Sequence, residues 1–201
     1  MPVAPLPLFS MPWTVAFWAV YVWAFYISEF GVIRHTKETR GAGPERPQDS
    51  LASLMLLTMA AKGAALLLAW YGVALVRDDA AMPVFWLGLT LMLAGSLLRR
   101  HCFKMLGSSF TVEVRASADQ PLVSGGAYRL VRHPGYLAGM IMLTGFGLAT
   151  TSFLATLIVL AAGLFAYTRR IDSEERAMLD AMGDRYRSYA ATRKKLIPFI
   201  Y

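Results

Sequence analysis

Cysteine is almost absent. Cys102 stands alone among 201 residues, so no disulfide forms within one chain, and neither a CxxC pair nor an HExxH run suggests a metal site. Charge is scarce as well: 16% of the residues are charged against 56% hydrophobic, and the mean hydropathy is positive. Soluble domains carry about a quarter charged residues, so the lipid bilayer is the solvent this composition fits. Acidic residues are the rarer sign, leaving a net charge of +7. The basic residues are spread between apolar runs and form no single patch, which points away from nucleic acid and towards membrane topology. The first ten residues lack Lys and Arg and contain Pro2, Pro5 and Pro7, unlike the basic start of a secretory signal. They are expected to form a short lead into a first span. Beyond them there is no low-complexity tract, and no internal repeat.

Crossing the hydrocarbon as a helix takes about 20 apolar residues. Five stretches qualify or nearly so: Trp13–Ile33, Leu51–Val76, Pro83–Leu98, Gly135–Ala149 and Phe153–Thr168. The third is short unless it extends through Arg99–Leu106, with arginines snorkelling to the interface. Only Thr150, Thr151 and Ser152 separate the last two, which therefore form a tight antiparallel hairpin. Of the 20 Lys and Arg residues, 18 lie in residues 34–50, 99–134 and 169–201. Five spans put these three segments on one side, cytoplasmic by the positive-inside rule, with the N-terminus outside. The two exceptions are Arg77 and the intramembrane Lys62. A lysine at mid-span costs about 2.5–3.5 kcal/mol on insertion scales. Its small neighbours Ala60, Ala61, Gly63, Ala64 and Ala65 suit close helix packing, so a bonded structural role and a substrate role both stand. After the fifth span, Met178, Leu179, Met182, Tyr186 and Tyr189 fall on one helical face. The expected architecture is an all-α integral membrane protein of about five transmembrane helices, one membrane domain over residues 1–201, with a C-terminal cytoplasmic amphipathic helix.

Two polar clusters interrupt this pattern. One runs from Leu122 to Tyr136 and contains Ser124-Gly125-Gly126-Ala127-Tyr128 and Arg132-His133-Pro134-Gly135-Tyr136; the other is Arg169-Arg170-Ile171-Asp172-Ser173-Glu174-Glu175. Each element has an ordinary explanation. The glycines suit a turn, His-Pro suits a helix start, the arginines suit topology, and Glu174 and Glu175 suit a first helical turn. The hairpin nevertheless returns the chain to the same membrane face, so His133 and Glu174 are expected to lie near each other.

The residues Gly126-x-Tyr128-x-x-Val131-Arg132-His133-Pro134-x-Tyr136, followed one hairpin later by Arg170-x-x-x-Glu174-Glu175, resemble the RHPxY and EE signature of the isoprenylcysteine carboxyl methyltransferase family. Leu106-Gly107-x-x-Phe110-Thr111 upstream and Leu179, Gly183-Asp184-x-Tyr186-x-x-Tyr189 and Pro198 downstream extend the match over about residues 84–201. The resemblance implies a methyltransferase core at 83–201 behind a two-helix portion at 1–82. It implies S-adenosylmethionine as methyl donor and a lipophilic carboxylate from the bilayer, such as a prenylated cysteine, as acceptor. Carried over position by position, the donor pocket would use Gln120, Pro121, Leu122, Val123, Tyr128, His133, Pro134, Gly135, Tyr136 and Glu174. Arg170 would face the acceptor carboxylate and carry the catalytic role. Arg115 sits where the match is gapped and is left out.

The chemistry is self-consistent. A charged cytoplasmic donor needs a site open to that face, and both clusters lie there. A carboxylate is ionised at neutral pH, its reference pKa being about 4, so no general base is required. Alignment and exclusion of water would supply the rate, aromatic faces would meet the sulfonium or adenine, and a guanidinium fork would orient the carboxylate. Membrane reductases of the sterol type share a similar core, but show Asn after His-Pro and an acidic residue a few positions on, where this chain has Gly135 and Met140. Methyl transfer to another lipid, thiol or amine remains open, and a non-enzymatic scaffold is the reading that predicts no donor binding.

Overall fold

The computed structural model describes residues 6–27, 51–107 and 117–197. The end of the first predicted span, the loop at 34–50, Phe110, Thr111, Arg115 and Pro198 lie outside the described residues.

Helix α1 (Trp13–Val22) follows Pro12 and continues as one π-helical turn, Trp23–Ile27. Helix α2 (Leu51–Trp70) is rich in Leu, Ala and Met, residues that lose little freedom in a helix. It buries a narrow strip, Ala61, Ala65 and Ala69, with Lys62 on the same side at 8% exposure. The Lys62 ammonium lies 4.3 Å from the Phe25 ring centroid and 5.2 Å from that of Tyr21. The π-faces of α1 and of the turn that follows it thus offer a cation an alternative to water inside the bundle.

Helix α3 (Asp78–Leu106) begins with Asp78 and Asp79, whose charges complement the helix dipole, and ends at Gly107, φ 51°. The third predicted span is therefore lengthened at both ends, and the Arg99–Leu106 extension forms. Helix α4 (Pro134–Ala149) opens with proline at its first position, where no hydrogen-bond donor is needed. Helix α5 (Phe153–Met182) is capped by Ser152, whose Oγ accepts from Ala155 N. It runs unbroken for 30 residues, about 45 Å. The sequence reading ended this span at Thr168. The helix continues because residues 169–182 contain no glycine or proline and are rich in Ala, Glu, Arg, Met and Leu. It stops at Gly183, φ 54°, and a short α6 (Asp184–Ala191) follows. Met182 and Tyr186 from the predicted apolar face are buried, whereas Leu179 is exposed.

The protein is all-α among the described residues, and three helices are long and apolar enough to cross a membrane: Ser53–Trp70, Asp78–Leu106 and Phe153–Met182. Helices α1 and α4 are apolar but shorter. Helix α4 sits centrally, between α3 and α5, and α5 packs in turn on α2. The α3–α4 contact depends on glycine from both sides. A Cβ at Gly88 would fall 2.4 Å from Ala149 N, and one at Gly145 would fall 2.5 Å from Gly88 O. Phe17 and Tyr21 of α1 and Phe25 of the π-helical turn close on Phe146 of α4.

At one end of the bundle the two helix connections are stitched together. Val76 N donates to Thr151 O at 2.9 Å, Phe153 N to Ala74 O at 2.9 Å, and Ser152 Oγ to Val73 O at 2.8 Å. The polar clusters gather at the other end.

Candidate functional site

The first turn of α4 and the seventeenth to twenty-third residues of α5 meet there. Tyr136 projects from α4 and donates its hydroxyl to Glu174 Oε1. Arg170, one turn before Glu174 on the same face of α5, places Nε 3.2 Å from that same oxygen. His133, the residue preceding α4, directs Nδ1 to within 3.7 Å of Glu174 Oε2. The predicted approach of His133 and Glu174 is thus realised, with Tyr136 and Arg170 beside them.

Burial differs among the four. The Arg170 side chain is 5% exposed, whereas Glu174 is 24% exposed, so the carboxylate rims the cluster and the guanidinium lines its floor. Tyr167, one turn before Arg170, lies with its ring 5.2 Å from Tyr136. It reaches there because residue 139 is glycine: a Cβ would meet the Tyr167 hydroxyl at 2.6 Å. The sequence reading missed Tyr167, although its spacing from Arg170 puts both on one face.

Pro134 is buried and Gly135 follows it on the first turn of α4; nothing lies within 4 Å of a Cβ built at Gly135. The Gly135 carbonyl accepts from Arg99 of α3 at 2.9 Å. Tyr128 is buried in the short helical turn Gly126–Arg129. Burial pushes its hydroxyl well above the ordinary phenol range, and the nearby Cys102, Tyr189 and Glu174 add to the effect while Arg99 opposes it. It therefore remains a neutral hydrogen-bonding group at physiological pH. Gln120, Pro121, Leu122 and Val123 stand on the loop before this turn. Helix α6 holds that loop, with Arg185 donating to Ala118 O at 2.7 Å and the Tyr189 hydroxyl to Val123 O at 2.9 Å.

A further set of contacts ties the site to the end of the chain. Arg132 Nε donates to Glu175 Oε1 at 2.8 Å, and its NH1 donates to the Ala190 and Arg193 carbonyls at 2.8 and 2.7 Å. The backbone amides of Arg132 and His133 donate to Lys194 O and Lys195 O, and Arg193 Nε reaches Tyr128 O. Lys195 Nζ lies 2.9 Å from Asp172 Oδ1 and 3.5 Å from Glu175 Oε2. Residues 190–197 thus form a strap across the entrance to α4.

In sequence and in fold the chain is similar to known proteins. The profile of the isoprenylcysteine carboxyl methyltransferase (ICMT) family matches residues 86–180. Protein-S-isoprenylcysteine O-methyltransferase B of Arabidopsis thaliana is 27% identical over 115 residues, 56% of this chain and 58% of that protein. The Schizosaccharomyces pombe protein-S-isoprenylcysteine O-methyltransferase is 31% identical over 108 residues, 53% of this chain and 46% of that protein. The chain thus covers less than two thirds of the length of these curated relatives. In fold, it superposes on a eukaryotic intramembrane Ras methyltransferase ICMT with a TM-score of 0.66 at 20% identity, over 99% of this chain and 70% of that one. The matched segment contains α4, the described polar cluster and α5 as far as Asp180, and over residues 86–180 the chain is similar to the isoprenylcysteine carboxyl methyltransferase family.

Proposed function

We propose that this protein methylates the carboxylate of a lipophilic acceptor, such as a prenylated cysteine, using S-adenosylmethionine. The observation that carries this reading is the junction of His133, Tyr136, Arg170 and Glu174 at one end of a membrane-type helix bundle. The residues suit the donor. It brings an amino group and a sulfonium to a partly exposed carboxylate and to tyrosine faces, and the open space at Gly135 leaves room beside them. Gln120, Pro121, Leu122, Val123, Tyr128, His133, Pro134, Gly135, Tyr136 and Glu174 would hold it, and when bound it supplies an electrophilic methyl group.

Arg170 would orient the acceptor. Its Nε is pinned by Glu174, which fixes the plane of the guanidinium, and a planar fork matches a carboxylate in two prongs. The acceptor arrives ionised, so the residues need only align it and keep water away. The hold on the carboxylate must also stay moderate, since ground-state binding alone gives no acceleration. Five spans, with 18 of 20 basic residues on the C-terminal side, would set the donor site in the cytoplasm and deliver the acceptor from the bilayer. The catalytic core would occupy 83–201, with 1–82 as an accessory helix pair.

The test is methyl transfer from labelled donor to a farnesylcysteine analogue, a fatty acid, a phospholipid amine and a thiol. Labelling of the farnesylcysteine analogue above the amine and thiol is expected. Transfer to the amine or thiol alone would refute carboxyl methylation.

A further inference from the structure

Glu175 adjoins Glu174 but faces a different set of partners. Its Oε1 receives Arg132 Nε at 2.8 Å and lies 3.1 Å from His133 Nε2, while Oε2 lies 3.5 Å from Lys195 Nζ. A carboxylate set between two cations accepts hydrogen bonds and donates none. The hydrogen in the His133–Glu175 contact therefore sits on Nε2. In its neutral form the imidazole has one N–H and one bare nitrogen, and in that form Nδ1 is an acceptor. It faces Glu174 Oε2 at 3.7 Å. Two acceptors at that distance do not bond to each other; together they form a notch for a group carrying several hydrogens.

We propose that Glu175 is a positioning residue that fixes His133 in the Nε2–H tautomer, leaving Nδ1 and Glu174 as paired acceptors for the amino group of the methyl donor. The assignment rests on His133 and Glu174 being donor-site residues. It separates the adjacent glutamates by function: Glu174 meets the ligand and Glu175 sets the ring that meets it. Arg132 holds Glu175 in place, and is itself held by the Ala190 and Arg193 carbonyls. The strap therefore reaches the ligand through one carboxylate and one ring.

Ring nitrogen NMR on the 15N-labelled full chain in detergent, at mildly alkaline pH, reads the tautomer directly. The signals of His133 are identified by their loss in His133→Asn. The parent should show Nε2–H. Glu175→Gln keeps an acceptor oxygen and should keep that tautomer, whereas in Glu175→Ala the hydrogen should move to Nδ1, with Glu174 as its acceptor. Calorimetric titration with S-adenosylmethionine should show a loss of about tenfold or more in Glu175→Ala, and a change within about threefold in Glu175→Gln. A parent ring protonated on Nδ1 overturns the proposal, whatever the fate of the variants. So does a Glu175→Ala ring that stays Nε2–H. If the parent binds no S-adenosylmethionine, the donor-site reading fails, while the tautomer still decides whether Glu175 orients His133.

Discussion

Replacing Arg170 by alanine tests the acceptor site most directly. The guanidinium is 5% exposed and gives Nε to Glu174 Oε1 at 3.2 Å. Its removal deletes the charge-assisted hydrogen bond to Glu174, worth about 1.5–3 kcal/mol, together with a contact to the Tyr136 hydroxyl. The cost should fall near the lower bound, about 1.5 kcal/mol, because Glu174 keeps the Tyr136 hydroxyl and reaches water at 24% exposure. At roughly 2–4 °C per kcal/mol for a chain of this size, the unfolding midpoint in detergent should drop by about 3–6 °C. Turnover should fall much further. Truncating one partner of a buried charge pair costs about 2–5 kcal/mol, so initial rates on a farnesylcysteine analogue should drop by about thirtyfold to several thousandfold. S-adenosylmethionine affinity should stay within about threefold, since His133, Tyr136 and Glu174 remain. Arg170→Lys should recover little, because an ammonium loses the two-pronged geometry. Carboxylate turnover near the parent level, together with the lowered midpoint, would leave Arg170 as a structural partner of Glu174 and refute its placement at the acceptor.

Three further outcomes are expected. Glu174→Ala should weaken S-adenosylmethionine binding about tenfold or more by calorimetry while the protein still purifies, the loss of one charge-assisted contact; parent-like affinity would remove Glu174 from the donor site. Gly88→Val should abolish monodisperse purification, because a Cβ there falls 2.4 Å from Ala149 N, whereas Gly63→Ala, with nothing within 4 Å, should raise the unfolding midpoint slightly; equal behaviour of the two would contradict the α3–α4 packing. Single cysteines at Ala80 and Thr192 in a Cys102→Ser background should react with an impermeant maleimide from opposite sides of the membrane, and labelling of both from one side would end the five-span topology.

Much of this site was legible in the sequence because hydropathy fixes where helices turn back. Three residues, Thr150 to Ser152, between two apolar runs were enough to predict that His133 and Glu174 approach. The length of α5 was harder to read. Arg169 and Arg170 look like the end of a span by hydropathy, yet a helix ends where backbone conformation or capping requires it, and the first such residue is Gly183. The strap was invisible for another reason. Arg193, Lys194 and Lys195 read as a topogenic basic run, and their contacts with Tyr128, Arg132 and His133 are mostly to backbone atoms, which side-chain patterns do not encode. Arg132 belongs to the sequence motif, but its pairing with Glu175 depends on the register between α4 and α5, which spacing alone leaves open by a turn.

The hydrogen bonds joining Val73–Val76 to Thr151–Phe153 have a mechanical consequence. They bind the bundle like the spine of a book at the end away from the site. With that end held, separation takes the form of fanning once the bonds of Arg99, Arg132 and Tyr136 at the other end give way, so displacement grows with distance from the seam. A helix of about 24 Å, the length of α4, that tilts by about 5° moves its far end by about 2 Å. The site therefore sits where the smallest rotation opens the widest gap. On the proposed reading, acceptors of different girth would enter beside α4 by such a tilt, with the glycine contact of Gly88 and Gly145, close to the spine, hardly disturbed.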